Sequence, residues 1–504
     1  MFYWIKMHFC FLIVFLIGSH LLVAQGFSQE MDNISEEENL VGSSVVVLCQ
    51  DTLLDVHHYG LSDLSNEIAV GNQTYYRIAS ISKWITALAA MHLVEQSELD
   101  LDADVNSYLP FSLRNPYHPD KAISLRALLS HRSGLQDGDT YSTFLNTVYN
   151  ANPIPPIQEV LVEGGSYYSS TMWLDQVPGT FFNYSNISFG VIATLIEQVS
   201  GQRFDQYVRS HVLIPMGIDA SFYINDLSDI SNLAVLYRNG QAQADQFNGV
   251  YPAPFNEASY ALGTNGLVFA PQGGLRISAR DLAKILLMFM NQGAYLGQQI
   301  ISAQSIDQMM ETQWVYNGEN GNNYFNLFNS WGLGMHITTE QLGGDYILGD
   351  SPMWGHPGEA YGLISDAYFE PNTGFGILFM TNGYYGPNYY AWAEDSAYYR
   401  PEERTFQLAK STYYEVCKEY SSTSYDTVLP WTKPYFDAEN NRIVFDELMP
   451  CFEGVVFDIK GRKVLTRQEE KPFIYVNDLP SGEYIFSYEC LDFRDSLKFF
   501  KVNN

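Results

Sequence analysis

Ser80 and Lys83 form the single Ser-x-x-Lys in a chain of 504 residues. A serine hydroxyl is a poor nucleophile at neutral pH. It needs an unprotonated base nearby and dipoles that receive an oxyanion. On a helix, a lysine three residues on lies on the same face one turn later. Shielded from water, its ammonium gives up a proton readily and the free amine can accept the serine proton. A serine at the helix start leaves its own N–H without an intrahelical acceptor and at the positive end of the dipole. That same dipole disfavours a lysine in the first turn, which hints at a reason for this one. Spacing alone, however, describes equally a serine cap followed by a solvated lysine.

The elements around this pair are legible in the pattern. From Ser80 to about Ser97, Ile81, Trp84, Ile85, Leu88, Met91 and Val94 recur in steps of three and four, one face of a helix. Helical patterns return at "SLRALLSHRSGL", "NISFGVIATLIEQVSGQ" and "SARDLAKILLMFMNQG", with Gly201 and Gly293 as stops. Strands are expected at "SSVVVLCQDTLLDVHHYGLSDL" and at "GLISDAYFEPNTGFGILFMTNG", the latter folded at Pro-Asn-Thr-Gly. A last helix spans about Pro401 to Tyr420. Strands first, helices in the middle, and strands then a helix at the end predict one α+β domain over 42–420, its sheet gathering both ends. Residues 421–435 read as a linker. From 436 to 504 only short strands with regular turn signals follow, the pattern of a small β-sandwich. Aromatics make up 15% of the chain and crowd into "NGYYGPNYYAWAEDSAYYR". Packing and loop anchoring explain that cluster best, with a substrate-stacking surface as the alternative.

Composition narrows the partners. Fifty-seven acidic against 27 basic residues give a net charge of −30, which repels nucleic acid. Residues 1–24, with Lys6 ahead of an apolar run and Ala24-Gln25 at its end, read as a secretory signal peptide. Residues 25–41 are polar and acidic and are expected to be a mobile leader. Four cysteines lie beyond the signal: Cys49, Cys417, Cys451 and Cys490. An exported chain meets oxidising conditions, and four cysteines allow three connectivities, between which spacing does not choose. Neither the cysteine spacings nor the His57-His58 pair matches a zinc-ligand pattern, and no metal is expected. Gly-x-Ser-x-Gly is absent from the sequence, which argues against an α/β-hydrolase.

"YRIASISKWITALAAMHLVEQSELDLDADVNSYLP" resembles the active-site helix of the serine β-lactamase and penicillin-binding-protein superfamily. It is most similar to the branch holding class C β-lactamases, DD-peptidases and esterases. "ISLRALLSHRSGL", "PGTFFNYSNISFGVIATLIEQVSGQRFDQYV", "LIPMGIDASFY", "GGLRISARDLAKILLMFMNQG" and "WGHPGEAYGLISDAYFEPNTGFGILFMTNG" follow in the family's order. Tyr-x-Asn alone occurs five times, and only Tyr184 has Pro-Gly before it and a helix after it. The resemblance covers about residues 42–415. It implies a β-lactamase/transpeptidase-like α+β fold, an antiparallel sheet flanked by helices with an all-helical subdomain. It also implies that no metal or organic cofactor is required, and it implies roles. Ser80 is acylated, and Lys83 and the Tyr184 hydroxyl, as phenol or phenolate, manage protons. Asn186 bonds Lys83 or the substrate amide. His356, with Pro357 and Gly358, lines the cleft, and the N–H groups of Ser80 and Glu359 form the oxyanion hole.

The sequence departs from the family's β-lactamases at the strand triplet. Where those enzymes and many DD-peptidases carry a threonine whose hydroxyl meets the substrate carboxylate, this chain has Pro357, with neither hydroxyl nor N–H. His356 replaces a permanently charged lysine. Both changes favour an esterase or a peptidase/amidase-like hydrolase over a true β-lactamase or DD-carboxypeptidase. A proline also suits a strand edge that faces a cleft. A binding protein that kept the fold and lost catalysis is the reading from another class, and the intact Ser80, Lys83 and Tyr184 speak against it.

"GVVFDIKGRKVLTRQ", "YVNDLPSGEYIFSY" and "LKFFKV" resemble the C-terminal sorting domain of the bacterial type IX secretion system, over about residues 436–504. The resemblance implies secretion or cell-surface display, with that machinery as a partner; without it the enzyme stays periplasmic. Pairing Cys451 with Cys490 inside this module and Cys49 with Cys417 across the sheet is one of the three connectivities.

Overall fold

The computed structural model describes residues 26–245, 257 and 260–422, and beyond them the strands between Tyr435 and Lys501 together with Leu479. The signal-peptide stretch 1–24 and most of the expected linker lie outside the described residues. The chain divides into two compact units, Met1–Ser421 and Ser422–Asn504.

Within the first unit, elements follow as helix α1 (26–37), strands β1 (Gly42–Cys49), β2 (Thr52–Asp63) and β3 (Ile68–Ala69), and helix α2 (Ile81–Glu95). After several shorter helices, among them Leu125–Leu129 and Tyr141–Asn150, come the long helix α3 (Ile187–Ser200) and, past further short segments, α4 (Ala279–Met290). Strands β4 (Trp314–Val315), β5 (Ser330–Trp331), β6 (His336–Ile337), β7 (Trp354–Ala360), β8 (Leu363–Glu370) and β9 (Phe375–Thr381) precede helix α5 (Arg400–Ala409). The strands form one antiparallel nine-stranded sheet, ordered β4-β5-β6-β7-β8-β9-β1-β2-β3. The pairing of β1 with β9 joins the two ends of the unit, as the sequence pattern predicts.

Every residue of β1 is buried, because both faces of the sheet are covered. Successive side chains point to opposite faces. Val46 and Leu48 meet the core built on α2, α3 and α4, while Val45, Val47 and Cys49 meet a second core. That second core contains Phe27, Met31 and Ile34 of α1 and Phe406 of α5. Residues 26–37 are therefore a docked helix and not a mobile leader. Their glutamates mask the apolar steps of four and three that place Phe27, Met31 and Ile34 on one stripe.

Helix α2 also differs from its pattern. The sequence shows one apolar face, yet Ser82, Lys83 and Thr86 are buried as well. The helix runs between β7 and β8 on one side and α3 on the other, with Trp84 stacked on Phe369 of β8. Helix α3 ends at Gly201, whose left-handed φ of 66° closes the helix as expected. Cys49, at the end of β1, is joined by a disulfide to Cys417, 368 residues away in sequence.

The second unit holds a three-stranded sheet (Tyr435–Asp437, Arg442–Val444, Phe473–Tyr475) and a four-stranded one (Lys463–Arg467, Cys451–Asp458, Gly482–Cys490, Phe493–Lys501). Cys451 and Cys490 stand opposite one another in register.

Candidate active site

Ser80 occupies the N-cap position of α2, but its side chain caps nothing. Ala79 before it sits at φ 43°, a left-handed conformation costly for alanine, of the sort that collects at functional turns. Lys83 is fully buried, and its Nζ lies 3.0 Å from Ser80 Oγ and donates to the Gln272 carbonyl at 2.7 Å. The reading of a capped helix followed by a solvated lysine is thus excluded on both counts. Burial depresses the Lys83 ammonium to about 7, with the Asp137 carboxylate opposing the shift. At neutral pH a large share of Lys83 is free amine.

Tyr184 faces the pair. Its ring centroid is 4.7 Å from Lys83 Nζ, and its hydroxyl interacts with the Ser80 side chain. Burial pushes that hydroxyl above its ordinary range, so it stays a neutral phenol and not a phenolate. The ring is fixed on several sides, by His131 at 4.4 Å, Phe328 at 5.2 Å, Tyr324 at 5.7 Å and Trp331 at 5.8 Å between centroids. Tyr324 also donates its hydroxyl to the Tyr184 carbonyl at 2.9 Å, from a turn where Tyr324, Phe325 and Asn326 all carry positive φ.

Asn186 departs from its expected partner. Its side-chain amide donates to Asp137 at 2.7 Å. The same carboxylate accepts the N–H groups of Asn186 and Ile187 at 3.0 and 2.9 Å, which satisfies the start of α3. Asp137 therefore ties the Tyr-x-Asn segment in place and sits close enough to act on the charge of Lys83.

His356 is fully buried and stands 6.0 Å from Tyr184 and 5.3 Å from Trp331, ring to ring. Its Nδ1 lies 2.5 Å from the Pro357 carbonyl, and its Nε2 has no partner among the described residues. Burial, reinforced by Lys83, holds both His356 and His131 well below the usual imidazole range, and they are neutral.

Gly358 is where β7 meets the nucleophile. A β-carbon there would stand 2.5 Å from Ser365 Oγ, 2.7 Å from the Ile78 carbonyl and 3.2 Å from the Ser80 nitrogen. Gly358 thus brings its strand against the start of α2. The next residue completes the geometry by strand parity. Glu359 pairs with Ile364 of β8, and both backbone groups of Ile364 engage Thr381 Oγ1 on the β9 side. The Glu359–Ile364 pair is therefore the non-hydrogen-bonded kind, and the Glu359 N–H points to the other edge of β7. Strand β6 covers only Trp354 and Gly355 of that edge. Pro357 shares the direction of Glu359, so its missing N–H removes no ladder bond. The Ser80 N–H likewise has no acceptor among the described residues.

The structure thus gathers Ser80, Lys83, Tyr184, His356, Gly358 and Glu359 around one point, with Asn186 behind them on Asp137. Three contributors escape sequence reasoning. His131 lies inside a quoted landmark, but nothing in the pattern shows its ring against Tyr184. Asp137 follows that landmark closely and is betrayed only by tertiary burial. Tyr324 belongs to a Tyr-x-Asn set aside for lack of context. Among the described residues no group of three or more His, Cys, Asp or Glu is placed to hold a metal ion.

A family model described as Beta-lactamase matches residues 27–397. Penicillin-binding protein 4 of Amycolatopsis lactamdurans is 22% identical over 364 residues, 71% of this chain and 84% of that protein. Esterase EstB of Burkholderia gladioli is 26% identical over 289 residues, 55% of this chain and 72% of that one. Among solved structures, D-amino acid amidase from Ochrobactrum anthropi SV3 complexed with L-phenylalanine superposes with a TM-score of 0.57 at 19% identity, covering 78% of this chain and 99% of that chain.

Proposed function

The chain belongs to the beta-lactamase family of serine hydrolases, and on that premise we propose that it is an esterase or amidase working through an acyl-enzyme on Ser80. In the first step Ser80 Oγ attacks a carbonyl carbon while its proton passes to the Lys83 amine. The developing oxyanion is received by the N–H groups of Ser80 and Glu359. Collapse expels the alcohol or amine, which takes a proton from Lys83 relayed by the Tyr184 hydroxyl. Water then attacks the acyl group, with the same groups acting in reverse, and frees the acid and Ser80. His131, Phe328, Trp331 and Tyr324 hold the Tyr184 ring for this relay, and Asp137 holds the segment that carries it.

The observation that carries the choice of substrate is that the His356-Pro357-Gly358 triplet beside the nucleophile offers neither a cation nor a hydroxyl. His356 is uncharged and Pro357 brings no hydroxyl. The nearby guanidinium groups are already engaged, Arg77 and Arg276 both by the buried Asp245. A carboxylated β-lactam or peptide end finds no free cation in these groups, whereas a neutral ester or amide needs none. An esterase among the sequence relatives and a D-amino acid amidase of similar fold agree with this preference. Labelling wild type and Ser80→Ala with a fluorophosphonate and a fluorescent penicillin tests it. Ser80-dependent labelling by the first without the second is expected. Rapid turnover of a chromogenic cephalosporin would overturn it.

We further propose that the protein is exported and that residues 436–504 act as its sorting address. The apolar start of the chain and the Gly-Arg-Lys hairpin with its "LPSGEY" turn support this. Protein recovered outside the cell should lack the terminal module. Retention of the whole chain in the cytoplasm would contradict it.

A further inference from the structure

The Glu359 side chain has a second job that its backbone role does not explain. Along β7, His356 and Gly358 face α2, so Pro357 and Glu359 face the opposite side of the sheet. There the two carboxylate oxygens of Glu359 accept separate hydrogen bonds. Tyr389 donates its hydroxyl to Oε1 at 2.6 Å, and Tyr399 donates to Oε2 at 3.1 Å. Tyr390, from the same aromatic segment, donates to the carbonyl of Gly362 in the β7–β8 turn at 2.9 Å. The three rings pack on one another, with Tyr389–Tyr390, Tyr389–Tyr399 and Tyr390–Tyr399 centroids 5.1, 5.4 and 5.8 Å apart. Tyr399 is fixed in turn by its own N–H, which donates to the buried Glu402 at 2.6 Å.

This arrangement sits on a strand that needs outside support. Among the described residues β7 has a partner on one side only past Gly355, and Pro357 offers no N–H to the other side. An edge strand held on one side can shift, and an oxyanion donor must stay aimed within a fraction of an ångström. We propose that Tyr389 and Tyr399 are positioning residues that brace Glu359 and thereby aim its N–H at the oxyanion. The inference rests on the reading of that N–H as an oxyanion donor. It also gives Tyr389, Tyr390 and Tyr399 a role in the chemistry without a stacked substrate, since their hydroxyls are committed to the β7–β8 hairpin.

Fluorophosphonate inactivation reads the brace without knowledge of the natural substrate, because its phosphoryl oxygen must enter the oxyanion hole. The full chain is compared as wild type, Ser80→Ala, Glu359→Gln and the double variant Tyr389→Phe/Tyr399→Phe. The double variant is expected to lower the maximal inactivation rate about tenfold or more, with the inactivator's KI within about twofold. Glu359→Gln keeps one acceptor oxygen and is expected to lie between it and wild type. A merely structural role would reduce the fraction of protein that labels and the melting temperature, and leave the rate of the labelled fraction unchanged. That result, or a wild-type rate in the double variant, overturns the brace. Should the double variant fail to fold, the single Tyr399→Phe is read in the same way. If Ser80→Ala still labels, the reading of Ser80 falls; if it does not and the tyrosine variants match wild type, only the brace falls.

Discussion

At the residue scale the decisive group is Lys83. Its burial serves two ends: it removes the solvent that would keep the amine charged, and it points the nitrogen at Ser80 Oγ. The folded-state value is depressed, to about 7, so the amine is charged below that pH and cannot take the serine proton. Acylation is therefore expected to rise with pH and level off above about 7, measured as the rate of fluorophosphonate labelling against pH. Lys83→Met should lower the rate by about 10²–10⁴-fold. A flat profile from pH 5 to 9 in the wild type would count against Lys83 as the base. The Ser80–Lys83 pair was legible in the sequence only through the order of the landmarks after it. Asp137, His131 and Tyr324 were not, because what marks them is contact: a carboxylate on Asn186, a ring on Tyr184, a hydroxyl on the Tyr184 carbonyl.

At the scale of elements, the site is a meeting of one helix start and one strand edge. Gly358 is the hinge of that meeting, since the space for a β-carbon is already filled by Ser365 and the Ile78 backbone. Gly358→Ala is expected to push β7 away from α2 and lower activity by at least about tenfold. A crystal structure or the labelling rate would check it, and an unchanged rate would show that the strand can give way. The long helices announced themselves by period, β1, β2, β8 and β9 by β-branched and apolar runs, and the Pro-Asn-Thr-Gly turn fell where expected, between β8 and β9; the two-residue strands β4, β5 and β6 are too short to show in the sequence. Helix α1 did not, because Phe27, Met31 and Ile34 are outnumbered by charged and polar neighbours. The buried polar side of α2 was equally hidden: a helix packed on both sides keeps Lys83 for chemistry, and no periodicity reports that.

At the scale of the molecule, two features bear on stability. The Cys49–Cys417 bond ties the first strand to the last helical segment across nearly the whole unit. Replacing both cysteines by serine should cost about 2–5 kcal/mol and lower the melting temperature, read by thermal unfolding. The second feature is a pair of buried acids, Asp366 on β8 and Glu402 on α5. Burial raises both, Glu402 to about 8 and Asp366 well above the carboxylate range. A carboxyl raised in the folded state stabilises most at pH values below its unfolded one, near 4.5 for Glu402, and that stability fades as pH climbs toward 8. Unfolding midpoints are expected to fall across this window in the wild type and to fall less in Glu402→Gln.

Every step of the proposed chemistry passes through Ser80 as the acylated residue. The direct measurement is mass spectrometry of the full protein after fluorophosphonate treatment, with peptide mapping of the adduct. One adduct on Ser80, absent from Ser80→Ala, is the predicted result. An adduct on any other residue, or none in a folded wild-type sample, would contradict it.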